Sequence, residues 1–168
     1  FLSEVVEDSP KDEDGNPVSN IDWNRVATDF SANFDPVVAP TSFNQLETDL
    51  QVKNSETKDL GSSGASTTIR ANSLTVDGIV NVWGNVTLVV TSSMDIKGAL
   101  VIQDNSSLTL YIEDDLTVGG NGVANKSGLA KNFQILGTAP STGTQIIKLH
   151  GNGVVHAAVY APNAELEM

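Results

Sequence analysis

Cysteine is absent from this chain of 168 residues, which excludes a disulfide framework, thiolate chemistry and any cysteine-based zinc site. Basic side chains are few. Nine Lys and Arg stand against 21 Asp and Glu, a formal net charge of -12, and the resulting field repels nucleic acid and anionic membrane surfaces. No nucleic-acid partner is expected. No apolar run approaches the length of a membrane span and nothing reads as a signal peptide, so this segment is expected to make no membrane contact. The chain opens on Phe1 rather than an initiator methionine, so a processed or partial sequence is expected, with any anchor upstream. Aromatics amount to 5 % of the residues, and the other apolar residues are mostly Val, Ile, Leu and Ala, the filling of a narrow core.

A five-residue phrase recurs: Leu74-Thr75-Val76-Asp77-Gly78, Met94-Asp95-Ile96-Lys97-Gly98, Leu116-Thr117-Val118-Gly119-Gly120 and Ile147-Lys148-Leu149-His150-Gly151, with Leu166-Glu167-Met168 as an unfinished fifth copy. Alternating apolar positions describe a strand with one buried face, and the glycine fits a tight corner. Recurrence at roughly twenty residues points to stacked coils rather than hairpins.

Two further columns keep the same spacing. Val86–Val90 and Leu108–Ile112 match, with Thr67-Thr68-Ile69 in the place of an earlier copy; Val80–Val82, Leu100–Ile102 and Gly122–Ala124 make the other. Three short strands per coil predict an all-β, right-handed, three-sided parallel β-helix. Its expected inward residues are Leu74, Val76, Val80, Val82, Val86, Leu88, Val90, Met94, Ile96, Leu100, Ile102, Leu108, Leu110, Ile112, Leu116 and Val118. Thr75, Thr87, Asp95, Thr109 and Thr117 should point outwards.

The third and fourth phrases lie further apart than the others. The surplus falls in the loop compositions 125–128 and 138–143, which flank a strand at Phe133–Leu136. Insertions of this kind belong at corners, where they leave the stacked strands in register.

Residues 1–60 read as an acidic N-terminal arm or cap, with thirteen acidic and four basic side chains against eight and five in 61–168. The charge is read as solvated surface. Asp12, Asp14 and Asn16 are similar to the start of a calcium loop, but no glutamate stands in register to close it, so an acidic turn is expected. Ser42 and Gln45 form a capping-box pattern ahead of Phe43, Leu46 and Leu50, which predicts a short helix over about 42–51 lying across the open end of the stack. Residues 53–66 read as a polar linker. The β-helix domain is accordingly placed at 61–168, incomplete at its C-terminus.

Over about residues 74–168 the sequence resembles the bacterial β-helical domain of unknown function found in surface and pilus-assembly proteins with a PilX-type N-terminus. The resemblance rests on Tyr111, Gly122, Asn125, Asn132, Gly137, Gly151, Asn152, Gly153 and the run Tyr160-Ala161-Pro162-Asn163-Ala164. Asp114 and Ala158 depart from it, standing where that family usually has glycine. It implies a right-handed β-helix, a bacterial cell-surface location and association with pilus-like machinery or adhesion, and it supplies no catalytic residues. The motif residues expected to carry structure are Gly78, Gly98, Gly120, Gly151, Asn152, Gly153, Tyr160, Pro162 and Asn163.

Chemistry is sparse. Glycoside hydrolysis needs two carboxyl groups about 5–10 Å apart, one of them held as an acid, and Glu113, Asp114 and Asp115 are the only dense group. His150 and His156 lack companion ligands at metal-binding spacing and read as corner histidines. The outward threonines fall in two columns, one interrupted by Asp95, so strand propensity explains them better than ice binding does. An interaction edge is expected at Glu113, Asp114, Asp115, Asn125, Lys126, Thr138, Ser141 and Thr142. The expected function is a non-enzymatic extracellular structural or adhesive module without cofactor or metal. Its expected partners are other surface or pilus subunits, further copies of itself through the ends of the stack, or a glycan. A carbohydrate-active β-helix is the alternative.

Overall fold

The computed structural model describes residues 34–138, 143–150 and 155–167. Within them lie twelve strands and no α-helix. Every strand pairing is parallel, and the strands stack as a β-solenoid of about five turns.

Three sides are built in turn. Side 1 carries the recurring phrase. It comprises the second half of β1 (Gln45–Val52), the end of β2 (Thr57–Val76), β4 (Met94–Ile96), β7 (Leu116–Val118), β10 (Gln145–Leu149) and β12 (Ala164–Glu167). Leu50, Leu74, Met94, Leu116, Ile147 and Leu166 stand in one row. Side 2 comprises the start of β2, the start of β3 (Ile79–Val90), β5 (Ala99–Ile102) and β8 (Gly122–Asn125). Side 3 takes the first half of β1, the middle of β2, the end of β3, β6 (Ser107–Ile112), β9 (Phe133–Gly137) and β11 (Ala158–Tyr160). Its row runs Gln45, Ile69, Leu88, Leu110, Ile135 and Val159.

The core is the interior of this stack. All the residues predicted to point inwards are 2 % exposed or less, because alternation puts them on one face and each coil roofs the one before. Thr75, Thr87, Asp95, Thr109 and Thr117 are half-buried on the outside. A fully buried Leu or Ile contributes roughly 1.5–3 kcal/mol, and the same residue types repeated along each row make neighbouring coils mutually stabilising.

Between sides 1 and 2 the corners stack backbone on backbone. A Cβ on Gly98 would strike the Gly78 carbonyl, and one on Gly120 would strike the Lys97 carbonyl. Gly120 also has φ +56°. Gly78, Gly98 and Gly120 are therefore required by close approach, and Gly120 by its backbone conformation as well.

The predicted helix over 42–51 is corrected to strand. Leu50 and Val52 pair with Leu74 and Val76 and are 2 % and 1 % exposed, while Leu46 is 72 % exposed. The period of two at 50 and 52 wins, because pairing along β2 both buries those side chains and satisfies the backbone. The capping box is unused. Asn44 instead exchanges two hydrogen bonds with Thr68: its N–H donates to the Thr68 carbonyl, and its side-chain oxygen accepts from the Thr68 N–H, each at 2.8 Å. Most of the expected linker is strand too, since β2 begins at Thr57 and bends where its register against β3 shifts between Gly61 and Ser66. The β-helix thus starts at Gln45 rather than at residue 61.

Candidate functional site

The residues grouped as one interaction edge divide between two corners. Glu113, Asp114 and Asp115 join β6 to β7, and Thr138 lies one coil further on at the same corner; the Glu113 N–H donates to Val90 and the Thr138 N–H to Ile112. Asn125 ends β8 and Lys126 opens the corner after it. Ser141 and Thr142 lie outside the described residues, as do the calcium candidates Asp12, Asp14 and Asn16 and the motif residues Gly151, Asn152 and Gly153.

The acidic corner is engaged in holding backbone. One Asp115 carboxylate oxygen accepts the Ile146 N–H at 2.8 Å. Beside it the buried Gln145 amide, 1 % exposed, donates to the carbonyls of Ile112 and Asp114, both at 2.8 Å. Nothing in the periodicity marks Gln145, a polar residue in an inward position. Asn125 does similar work at the other corner: 8 % exposed, it donates to Leu129 and His156 carbonyls at 2.8 and 3.0 Å and accepts from the Ser127 hydroxyl at 2.7 Å. His150 and His156 are both exposed. No group of three metal-ligating side chains occurs among the described residues, and no helix there is long and apolar enough to cross a membrane.

The three outer faces differ. On side 1 the outward row Thr75, Asp95, Thr117, Lys148 is polar. Asp95 pairs with Lys97 at 2.7 Å and Lys148 with Glu167 at 3.0 Å, and the hydrogen bond to Asp95 raises the Lys97 ammonium above its ordinary pKa.

Side 3 carries the row Arg70, Val89, Tyr111, Leu136, Tyr160. Residues 34–44 run along this row as a strap. The Phe43 ring lies 6.0 Å from the Arg70 guanidinium at one end, and the Tyr160 hydroxyl donates to the Asp35 carbonyl at 2.8 Å at the other. Val89 lies in the outward row yet is only 5 % exposed.

Side 2 carries a chain of side-chain hydrogen bonds across four coils. Lys126 Nζ donates to Gln103 Oε1, Gln103 Nε2 to Asn81 Oδ1 at 2.9 Å, and Asn81 Nδ2 to Asp59 Oδ1 at 3.0 Å. The Trp83 indole N–H donates to the same Asp59 oxygen at 3.3 Å. A cation at one end and an anion at the other polarise the chain in one direction, which strengthens each bond. Next to this face, at the corner with side 1, lies an open groove of about 310 Å³ lined by Glu56, Thr57, Asp77, Ile79, Ala99 and Asn121 among others.

A family model described as a domain of unknown function, DUF7305, matches residues 29–168. The chain belongs to the DUF7305 family. No curated protein and no solved structure matches it. The DUF7305 match begins ahead of the strap, so the strap, β1 and all three sides fall inside the family's domain. The match thus begins well ahead of residue 74, the start of the first copy of the repeated phrase. In this DUF7305 domain Tyr160 belongs to β11 and fastens the strap, Ala161 and Pro162 are half-buried, and Asn163 is exposed in the turn before β12.

Proposed function

We propose that this DUF7305 domain is a non-enzymatic structural or adhesive module of an extracellular, bacterial cell-surface protein, associated with pilus-like machinery as its resemblance to PilX-type proteins implies. The observation that carries this reading is the edge at the last coil. β11 and β12 terminate the pairing order, and Val159, Tyr160 and Leu166 on them are 37 %, 40 % and 45 % exposed. Among the described residues these strands are paired on one side, and such an edge with exposed apolar residues gains from a further strand laid against it. The partner in this reading is a coil from a neighbouring surface or pilus subunit, or from a second copy. The strapped stack supports it, because such a module transmits load along its axis.

Sedimentation equilibrium and electron microscopy of the purified chain test the proposal. Expected is concentration-dependent association below about 100 μM, lost in Leu166→Lys and Val159→Lys variants whose thermal unfolding is little changed. A chain that stays monomeric and retains no surface or pilus subunit overturns it. So does polysaccharide turnover that disappears when Glu113, Asp114 and Asp115 are neutralised together.

A further inference from the structure

We infer that the outer face of side 2 is a binding track for a neutral polysaccharide, with Trp83 as its apolar platform and Asp59 and Asn81 as its polar partners. The inference names a partner class for the adhesive module and rests on that reading for its biological setting.

Trp83 is half-buried on the outward row of β3. Its partner on the preceding coil is Gly61, at φ +73°, so the paired position carries no side chain, and the Asp59 carboxylate of that coil stands beside the indole. The bond from the indole N–H to Asp59 orients the ring. Pyranose rings present C–H groups on their faces and hydroxyls at their rims. A fixed aromatic ring with hydrogen-bonding groups two residues away meets both, in the pattern of an apolar surface with a few placed polar groups.

The polar groups are held in advance of any ligand. Gln103 is 8 % exposed, and its amide is oriented from both sides by Lys126 and Asn81. Asn81 is therefore fixed as acceptor toward Gln103 and donor toward Asp59. An amide has two N–H donors and two acceptor positions, and a carboxylate has about four acceptor positions. Asn81 keeps one donor and one acceptor in reserve, and Asp59 keeps its second oxygen. Groups ordered before binding need not be ordered by it.

The track continues along β3 to Ile79, 44 % exposed at the rim of the groove. Ile79 and Trp83 lie on the same face four residues apart, roughly 13 Å along a strand. On the later coils the outward positions of β5 and β8 are Ala99, Val101, Gly122 and Ala124, none larger than valine, so a chain can lie across the face. Charge selects among glycans. Glu56 and Asp77 line the groove, Asp59 borders the platform, and the cation Lys126 is already donated to Gln103, so a polyuronate is repelled and a neutral chain is not.

The experiment uses the full chain carrying Trp23→Phe, so that tryptophan emission reports Trp83. It is titrated with cellohexaose, chitohexaose and, as the anionic comparison, oligogalacturonate. Expected is a saturable emission change with a neutral hexasaccharide below about 10 mM. Isothermal titration should give an affinity reduced at least tenfold by Trp83→Ala and by Asn81→Ala, but no more than about threefold by Trp83→Phe, which keeps the ring and guards against a folding defect. Three results overturn the track: no saturation by either neutral sugar in folded protein, affinity unchanged in Trp83→Ala, or oligogalacturonate binding as tightly. If the track fails while sedimentation still reports association, the surface-module reading stands without it.

Discussion

The hydroxyl of Tyr160 donates to the backbone carbonyl of Asp35 across 125 positions of sequence, at 2.8 Å. This bond ties the strap to the last coil of side 3, while Phe43 beside Arg70 ties it near the first. Tyr160→Phe removes the donor and keeps the ring. A neutral hydrogen bond contributes about 1 kcal/mol, so opening of the strap's end should become about fivefold more frequent. Hydrogen exchange and limited proteolysis over residues 34–43 measure it, with side 1 amides as the unaffected comparison.

Gly98 and Gly119 make a matched pair for the corner. Gly98→Ala drives a methyl into the Gly78 carbonyl, whereas the nearest atom to a Cβ on Gly119 is the Ile96 carbonyl at 3.8 Å. Gly98→Ala is expected to cost about 1–3 kcal/mol through overpacking, and Gly119→Ala to lie within about 0.5 kcal/mol of the parent. Denaturant midpoints at constant slope separate the two.

Gln145 is the buried amide on which the acidic corner depends. Gln145→Leu leaves the Asp114 carbonyl without that donor, at a cost of about 1–3 kcal/mol. Gln145→Glu places a buried carboxylate against the same carbonyls, which favours its protonated form and raises its pKa in the folded state. The folded protein then holds the proton that the unfolded chain releases, so stability of this variant falls as pH rises above about 4. Thermal unfolding followed from pH 4 to 7 should show that slope in Gln145→Glu and not in Gln145→Leu.

Position along the stack should grade the cost of truncation. Leu110 is fully buried between Leu88 and Ile135, while Val159 in the same row is 37 % exposed. Leu110→Ala is expected to cost about 2–5 kcal/mol. Val159→Ala should cost well under that, by calorimetry on both.

The repeats were legible because each inward residue is both periodic along its strand and repeated one coil later, so Leu74, Met94 and Leu116 announce their row twice over. β1 was not, because Phe43, Leu46 and Leu50 happen to fall at helical spacing, and only pairing with β2 reveals that Leu46 faces outwards. The first half of β2 was hidden by its polarity: Leu60 is its one buried residue before Ile69, and a first coil needs only backbone partners to be a strand. On side 2 a faint signal did exist. Asp59, Asn81 and Gln103 recur every 22 residues, yet the coil from β3 to β5 is two residues shorter, so the third member lies diagonally and its bond to Asn81 emerges only in three dimensions.

The strap also has a length. Between Arg70 and Tyr160 there are four steps from coil to coil, about 19 Å at the usual spacing, and the eight residues from Asp35 to Phe43 reach at most about 27 Å. Repeat proteins ordinarily lengthen or shorten by whole units, since each unit touches only its neighbours. Here the strap acts as a tape measure: duplication of two coils would outrun it, so the number of coils and the segment before β1 can change only in concert.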